Sequence, residues 1–207
     1  WNSINAQHND NANISLSAGN TGVLFVISKM LLKTIEGVSK PALAGLWPNK
    51  KGVSIVLDLG ANIECDEKNL IDFSEMGSAL FKSLYQNETP TVSLLNIGSE
   101  EIKGTEDIKK AYSKLKDISK HGDFIFKGYI EGNKIFDGDS NVIITDGFTG
   151  NVALKTAEGT AKFLTDTLKS TLSENLFTKF SLIFSYLSLK KFKSKWDPRN
   201  YNGAIFL

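Results

Sequence analysis

Short apolar runs alternate with stretches of helical period along most of the chain. Val53–Leu57, Val92–Leu95 and Val142–Thr145 are short, mainly aliphatic runs, interrupted only by Ser54 and Ser93 and free of charge, the pattern of strands buried on both faces. Ile14–Ser17 is a shorter candidate of the same kind. Each run is followed by a segment rich in Gly, Asn or Asp and then by a helix. Ala18–Gly22 leads into Val23–Lys33, and Asp58–Asn62 precedes Leu70–Leu84. Asn96–Gly98 precedes a lysine-rich helix from about Thr105 to Leu115, and Asp146–Asn151 opens a long helix from Val152. Phe124–Phe136, with Gly128 and Gly132-Asn133, predicts a further strand and a tight reversal. The spacing between units is irregular, which excludes a solenoid. No low-complexity linker interrupts the chain before Ser173. These features predict a single α/β domain over 1–207, a layered αβα, Rossmann-like and mostly parallel sheet with helices on both faces.

Composition narrows the function classes. The 207 residues suffice for one sizeable core, and 41% hydrophobic with 23% charged residues is ordinary for a soluble globular protein. A net charge of +1 argues against a nucleic-acid-binding surface spread over the molecule. The single cysteine, Cys65, excludes an internal disulfide and a cysteine-based zinc cluster, as expected in a reducing cytoplasm. Trp1–Asp10 is polar and lacks a basic-then-apolar start, so no signal peptide is expected there. No apolar run approaches the roughly 18 residues of a membrane span.

The candidate chemistry sits in the loops. Right-handed crossovers place every strand-to-helix loop at the carboxyl edge of the sheet, where open α/β folds bind ligands. Glycine lets backbone N–H groups approach an anion, and a following helix adds partial positive charge. Ala18–Gly22, containing Gly19, Asn20, Thr21 and Gly22, and Asp146–Asn151, containing Gly147 and Gly150, therefore read as anion cradles. Lys103 and Lys155 lie close in sequence to two such loops. The competing reading is that these are ordinary turn residues. His8 and His121 belong to no triad pattern and read as surface residues, and Cys65 reads as a packed, inert thiol. Asp58, Glu64, Asp66 and Asp146 match no recognised metal-ligand spacing.

Towards the carboxyl end, Leu176, Phe177, Phe180, Ile183, Phe184 and Leu187 are followed by Lys190, Lys191, Lys193 and Lys195. Apolar and aromatic residues beside lysines describe an amphipathic helical tip over 174–196. Two environments suit it: an anionic lipid surface or a helical hairpin packed in a dimer.

Taken in series, the loops resemble the bacterial phosphate acyltransferase (PlsX) family. The resemblance rests on Ser17-Ala18-Gly19-Asn20-Thr21-Gly22, Leu57-Asp58-Leu59-Gly60-Ala61-Asn62 and Leu95-Asn96-Ile97-Gly98 with Lys103-Gly104. It continues through Asp146-Gly147-Phe148-Thr149-Gly150-Asn151-Val152, Leu154-Lys155-Thr156 and Glu158-Gly159, with Pro41-Ala42-Leu43 and Tyr201-Asn202-Gly203-Ala204. Lys40, Ser99 and Tyr129 depart from the family pattern. The resemblance covers about Ser15 to Ala204, and the family's amino-terminal strand–loop units and its carboxyl end are not among these residues.

The resemblance carries expectations for fold, assembly and chemistry. It implies a fold related to isocitrate dehydrogenases and phosphotransacetylases, a homodimer, and peripheral attachment to the inner, cytoplasmic face of the cell membrane. The implied reaction is long-chain acyl-[acyl carrier protein] plus inorganic phosphate giving acyl phosphate and free acyl carrier protein, in phospholipid biosynthesis, with no cofactor and no metal. Lys155, Lys103 and Asn151 would carry the chemistry. Gly19, Asn20, Thr21, Gly22, Asp58, Gly60, Asn62, Asn96, Gly98, Asp146, Gly147 and Gly150 would bind phosphate and substrate. The tip would meet anionic lipid. Two rivals remain: a metal-dependent dehydrogenase of the related fold, disfavoured by a single arginine, Arg199, and a lipid-surface scaffold without turnover.

Overall fold

The aliphatic runs become the centre of a sheet because only a flanked strand can satisfy its backbone while burying both faces. The computed structural model describes residues 1–172, residue 190 and residues 203–206. In chain order the elements are α1 (Asn2–His8), α2 (Thr21–Leu32), β1 (Ala42–Asn49), β2 (Gly52–Leu57), α3 (Glu67–Leu84) and β3 (Thr91–Asn96). Then come α4 (Glu106–Ile118), β4 (Ile125–Glu131), a 3-10 helix (Gly132–Asp137), β5 (Val142–Ile144), α5 (Gly147–Leu172) and β6 (Gly203–Phe206). The sheet order is β4-β3-β5-β2-β1-β6. Pairs β4–β3, β3–β5 and β5–β2 are parallel, whereas β2–β1 and β1–β6 are antiparallel. Three of the five strand pairs are parallel, so the mostly parallel expectation holds within a mixed sheet.

Two apolar layers flank the sheet. On one face Leu70, Phe73, Met76 and Phe81 of α3 and Ala111 and Leu115 of α4 pack on Leu57, Val92, Leu94 and Ile144. Gly77 allows the close approach, because a Cβ there would stand 2.5 Å from Val142 Cγ1. On the other face the 3-10 helix and α5 cover Trp47, Val56 and Ile143. Capping explains where two helices begin. Asp66 and Asn69 form a reciprocal capping box, so α3 starts ahead of the predicted Leu70. Thr105 caps α4 through Ile108 N.

Two sequence expectations need correction. Ile14–Ser17 is not a strand; it lies in an open segment with Ile14 and Leu16 exposed. Among the described residues no strand lies beside it to pair with. The strand expected within Phe124–Phe136 is β4, but in place of the tight reversal a 3-10 helix recrosses the sheet face. β1 was not predicted as a strand: Ala42–Asn49 has few β-branched residues and contains Pro48. Among the described residues the β6 pairing covers Ala42–Gly45 and stops short of Pro48.

Candidate active site

Parallel pairing decides which loops share a rim. Leu57 of β2 and Leu94 of β3 both lie in register with Ile144 of β5, so the loops after all three strands emerge at one edge. β4 brings Glu131 to the same edge, opposite Asn96. β1 runs the other way and enters there, so Pro41 and Leu43 join the rim. The Pro41 carbonyl accepts Asn62 Nδ2 at 2.7 Å, and Leu59 N donates to Leu43 O at 2.9 Å.

Asp58 ties this rim together. Its side chain is completely buried. Oδ1 accepts Leu43 N at 3.0 Å, Gly60 N at 3.1 Å and Ala61 N at 3.0 Å. Oδ2 accepts Asn62 N at 2.7 Å and Asn62 Nδ2 at 2.8 Å. Among the described residues no lysine or arginine forms an ion pair with it. The charge is held by dipoles alone, and the amino end of α5 adds to them, since a Cβ on Gly147 would lie 2.9 Å from Asp58 Oδ2. The amides of residues 60–62 are turned on the protein's own carboxylate.

The first turn of α5 rests directly on that loop. Gly147 N donates to Asn62 O at 2.7 Å, and a Cβ at Gly147 or Gly150 would run into the backbone of Asn62 or Asp58. Asp146 caps the helix, accepting Thr149 N at 2.7 Å and Thr149 Oγ1 at 2.8 Å. Asn151 is exposed, and its side chain lies against Gly60. Thr145, at the end of β5, was not singled out from sequence. Its hydroxyl is buried without a hydrogen-bond partner among the described residues, which only packing could reveal.

The β3–α4 loop is closed by Asn96, which donates from Nδ2 to Lys103 O at 3.0 Å and accepts Ile97 N at 2.9 Å. Gly98 lies beneath the Lys103 side chain. Both predicted lysines are exposed and paired with nearby glutamates: Lys103 with Glu100 at 3.1 Å and Lys155 with Glu158 at 2.8 Å. Lys40 donates to Glu64 O at 2.9 Å, also at this edge. The ring of Tyr129, another departure from the family pattern, packs on Tyr112 with centroids 4.6 Å apart.

The loop at Gly19, Asn20, Thr21 and Gly22 is not carried by a sheet strand. Asn20 caps α2 through Val23 N at 3.1 Å, and Gly19 N donates to Ser17 Oγ. No described hydrogen bond links these residues to the rim. The tip over 174–196 lies outside the described residues, Lys190 aside.

His8 and His121 are exposed, as expected. Burial, with Asp58 nearby, pushes the Cys65 thiol up to about 11. A thiol held so high stays protonated at neutral pH and is a poor nucleophile, in line with the inert reading.

The sequence profile of the fatty acid synthesis protein family matches residues 1–207. The chain belongs to that family. Members similar to it include the phosphate acyltransferase of Pelagibacter ubique, 60% identical over 207 residues, 100% of this chain and 62% of that protein. The phosphate acyltransferase of Albidiferax ferrireducens is 48% identical over 95% of this chain and 56% of its own length. That of Paramagnetospirillum magneticum is 43% identical over 100% of this chain and 58% of its own. The chain therefore spans about 60% of the length of these relatives. In fold the family member resembles a phosphotransacetylase from Streptococcus pyogenes, with a TM-score of 0.57 at 15% identity over 77% of this chain and 54% of that one. It likewise resembles the EutD phosphotransacetylase from Staphylococcus aureus, with a TM-score of 0.52 at 18% identity over 65% and 46%.

Proposed function

We propose that this protein moves a long-chain acyl group from the thioester of acyl carrier protein onto inorganic phosphate, in phospholipid biosynthesis. The observation that carries the reading is the 60% identity, along all 207 residues, to a phosphate acyltransferase. A phosphate oxygen adds to the thioester carbonyl carbon, and the tetrahedral oxyanion collapses with cleavage of the C–S bond. Acyl phosphate departs, and the carrier thiolate takes a proton from water. Phosphate is already anionic, so the protein has to position it and to stabilise the oxyanion. No covalent protein intermediate and no cofactor enter.

The rim supports this division of labour. Asp58, Gly147 and Gly150 hold the frame, while Asn151, Lys103 and Lys155 stand exposed upon it. Exposed ion pairs contribute only about 0–1 kcal/mol, so either lysine can leave its glutamate for a bound anion at small cost. Lys155 is the leading electrostatic partner of phosphate, with Asp146–Asn151 at the start of the same helix; Asn20, Thr21 and Gly22 are assigned to the same phosphate, and Asn62, Asn96 and Lys103 shape the acyl side. Lys155→Ala in the intact protein is expected to lower acyl-phosphate formation about 100-fold with an unchanged melting curve. Normal turnover in that variant would remove Lys155 from the mechanism.

The same reading makes the protein a homodimer on the inner face of the cell membrane. Among the described residues no helix is long and apolar enough to cross a membrane; attachment would run through the tip. Phe180 and Phe184 changed together to serine should abolish flotation with anionic vesicles. Unaltered flotation would assign the tip to the partner subunit instead.

A further inference from the structure

The sheet face opposite α3 and α4 carries a cavity of about 400 Å³ that the rim chemistry leaves unused. This is within the roughly 300–1,000 Å³ usual for ligand pockets. Trp47 lines it from the sheet, Ile135 and Phe136 from the 3-10 helix, and Ala153, Ala157 and Ala161 from α5. The alanines recur every fourth residue, so one face of α5 is shaved down where larger side chains would otherwise fill the space. Among the described residues the lining contains no charged side chain. The Thr165 hydroxyl, a polar group of the lining, is turned back onto Ala161 O at 2.7 Å.

Placement gives the cavity a direction. Gly132, which follows the rim end of β4, lines the cavity together with Ala153, less than two turns into α5. From there it follows the helix to Leu164 and Thr165, roughly 18 Å at 1.5 Å per residue. Trp47 is only 5% exposed, so its indole is shielded from solvent at the wall of the slot. A long, carbon-lined slot that starts beside an acyl-transfer rim suits an unbranched hydrocarbon and repels a charged ligand.

We infer that this cavity binds the alkyl chain of the fatty acyl substrate, carbonyl end at Gly132 and methyl end towards Leu164. The inference rests on the acyl-transfer reading, and its tests separate the two. Ala161→Phe fills the slot well away from the rim. In the intact protein it is expected to lower kcat/KM for a long-chain acyl carrier protein thioester by about 10-fold or more, leaving a short-chain thioester unaffected. Equal loss on both donors, or no loss on either, would overturn the assignment. A brominated long-chain fatty acid is expected to quench the tryptophan emission of the unaltered protein more than that of Trp47→Phe, the difference being the Trp47 share beside Trp1 and Trp196. Equal quenching of the two proteins, or none at all, would also sink it. Should Ala161→Phe instead change the oligomeric state by light scattering without altering chain-length preference, a second copy fills the groove and the proposal is wrong. If the unaltered protein makes no acyl phosphate from either donor, the transfer reading fails, and Trp47-dependent quenching alone then upholds or rejects the cavity. If Ala161→Phe does not fold, that same quenching measurement decides.

Discussion

Asp58→Ala is expected to lower folding stability by about 3–5 kcal/mol, read as a shift in the urea midpoint of the intact protein. The magnitude follows from the partners the carboxylate serves. Leu43 N, Gly60 N, Ala61 N, Asn62 N and Asn62 Nδ2 all converge on two oxygens inside the fold. Alanine strands these five donors at a point where β1, the β2–α3 loop and the start of α5 meet. Asp58→Asn should cost less but still measurably. It keeps one acceptor oxygen and aims an NH2 group at donors, either Asn62 N or the Leu43, Gly60 and Ala61 amides. A loss below about 1 kcal/mol in the alanine variant, the usual size for a surface change, would show that the loop holds itself without the carboxylate.

Gly150→Ala should be nearly as damaging, by about 3 kcal/mol or more. The new Cβ would be driven onto the Asp58 carbonyl oxygen and to 2.9 Å from Thr145 Cγ2. Both obstacles are fixed, one by backbone and the other by a side chain at the end of a buried strand. Gly159→Ala on the same helix is the control. Its Cβ would meet nothing within 4 Å, and removing a helix glycine stabilises by about 0.5–1 kcal/mol. Opposite signs for the two substitutions, measured by thermal or urea unfolding, would show that α5 is pinned to the rim at Gly150. Equal signs would contradict that packing.

These two predictions mark a border in what the amino-acid order discloses. Aspartate and glycine in Asp58–Asn62 and Gly147–Gly150 are visible as turn chemistry in the bare sequence, but turn chemistry has two uses. Such loops can wrap their amides around a foreign anion or around one of their own. Here Asp58 occupies the amides of residues 60–62, and Asp146 occupies that of Thr149. The loop at Asn20 likewise had the composition of its neighbours, yet it is capped locally and follows no strand.

Local sequence determined the elements whose signals are self-contained: the aliphatic strands β2, β3 and β5, the capped helices α3 and α4, the glycine-rich turns and the inert cysteine. Those signals act over a few residues, through side-chain period, capping and backbone freedom, so they survive without the rest of the molecule. The antiparallel β1 with Pro48, the five donors gathered on Asp58, the buried Thr145 hydroxyl and the Trp47 cavity were decided only by tertiary structure. Each depends on which distant segments become neighbours, such as Leu43 with Asp58, Asn62 with Gly147, and the 3-10 helix with α5. No local period encodes those meetings, because they are settled when the sheet closes and its layers compete for the same space.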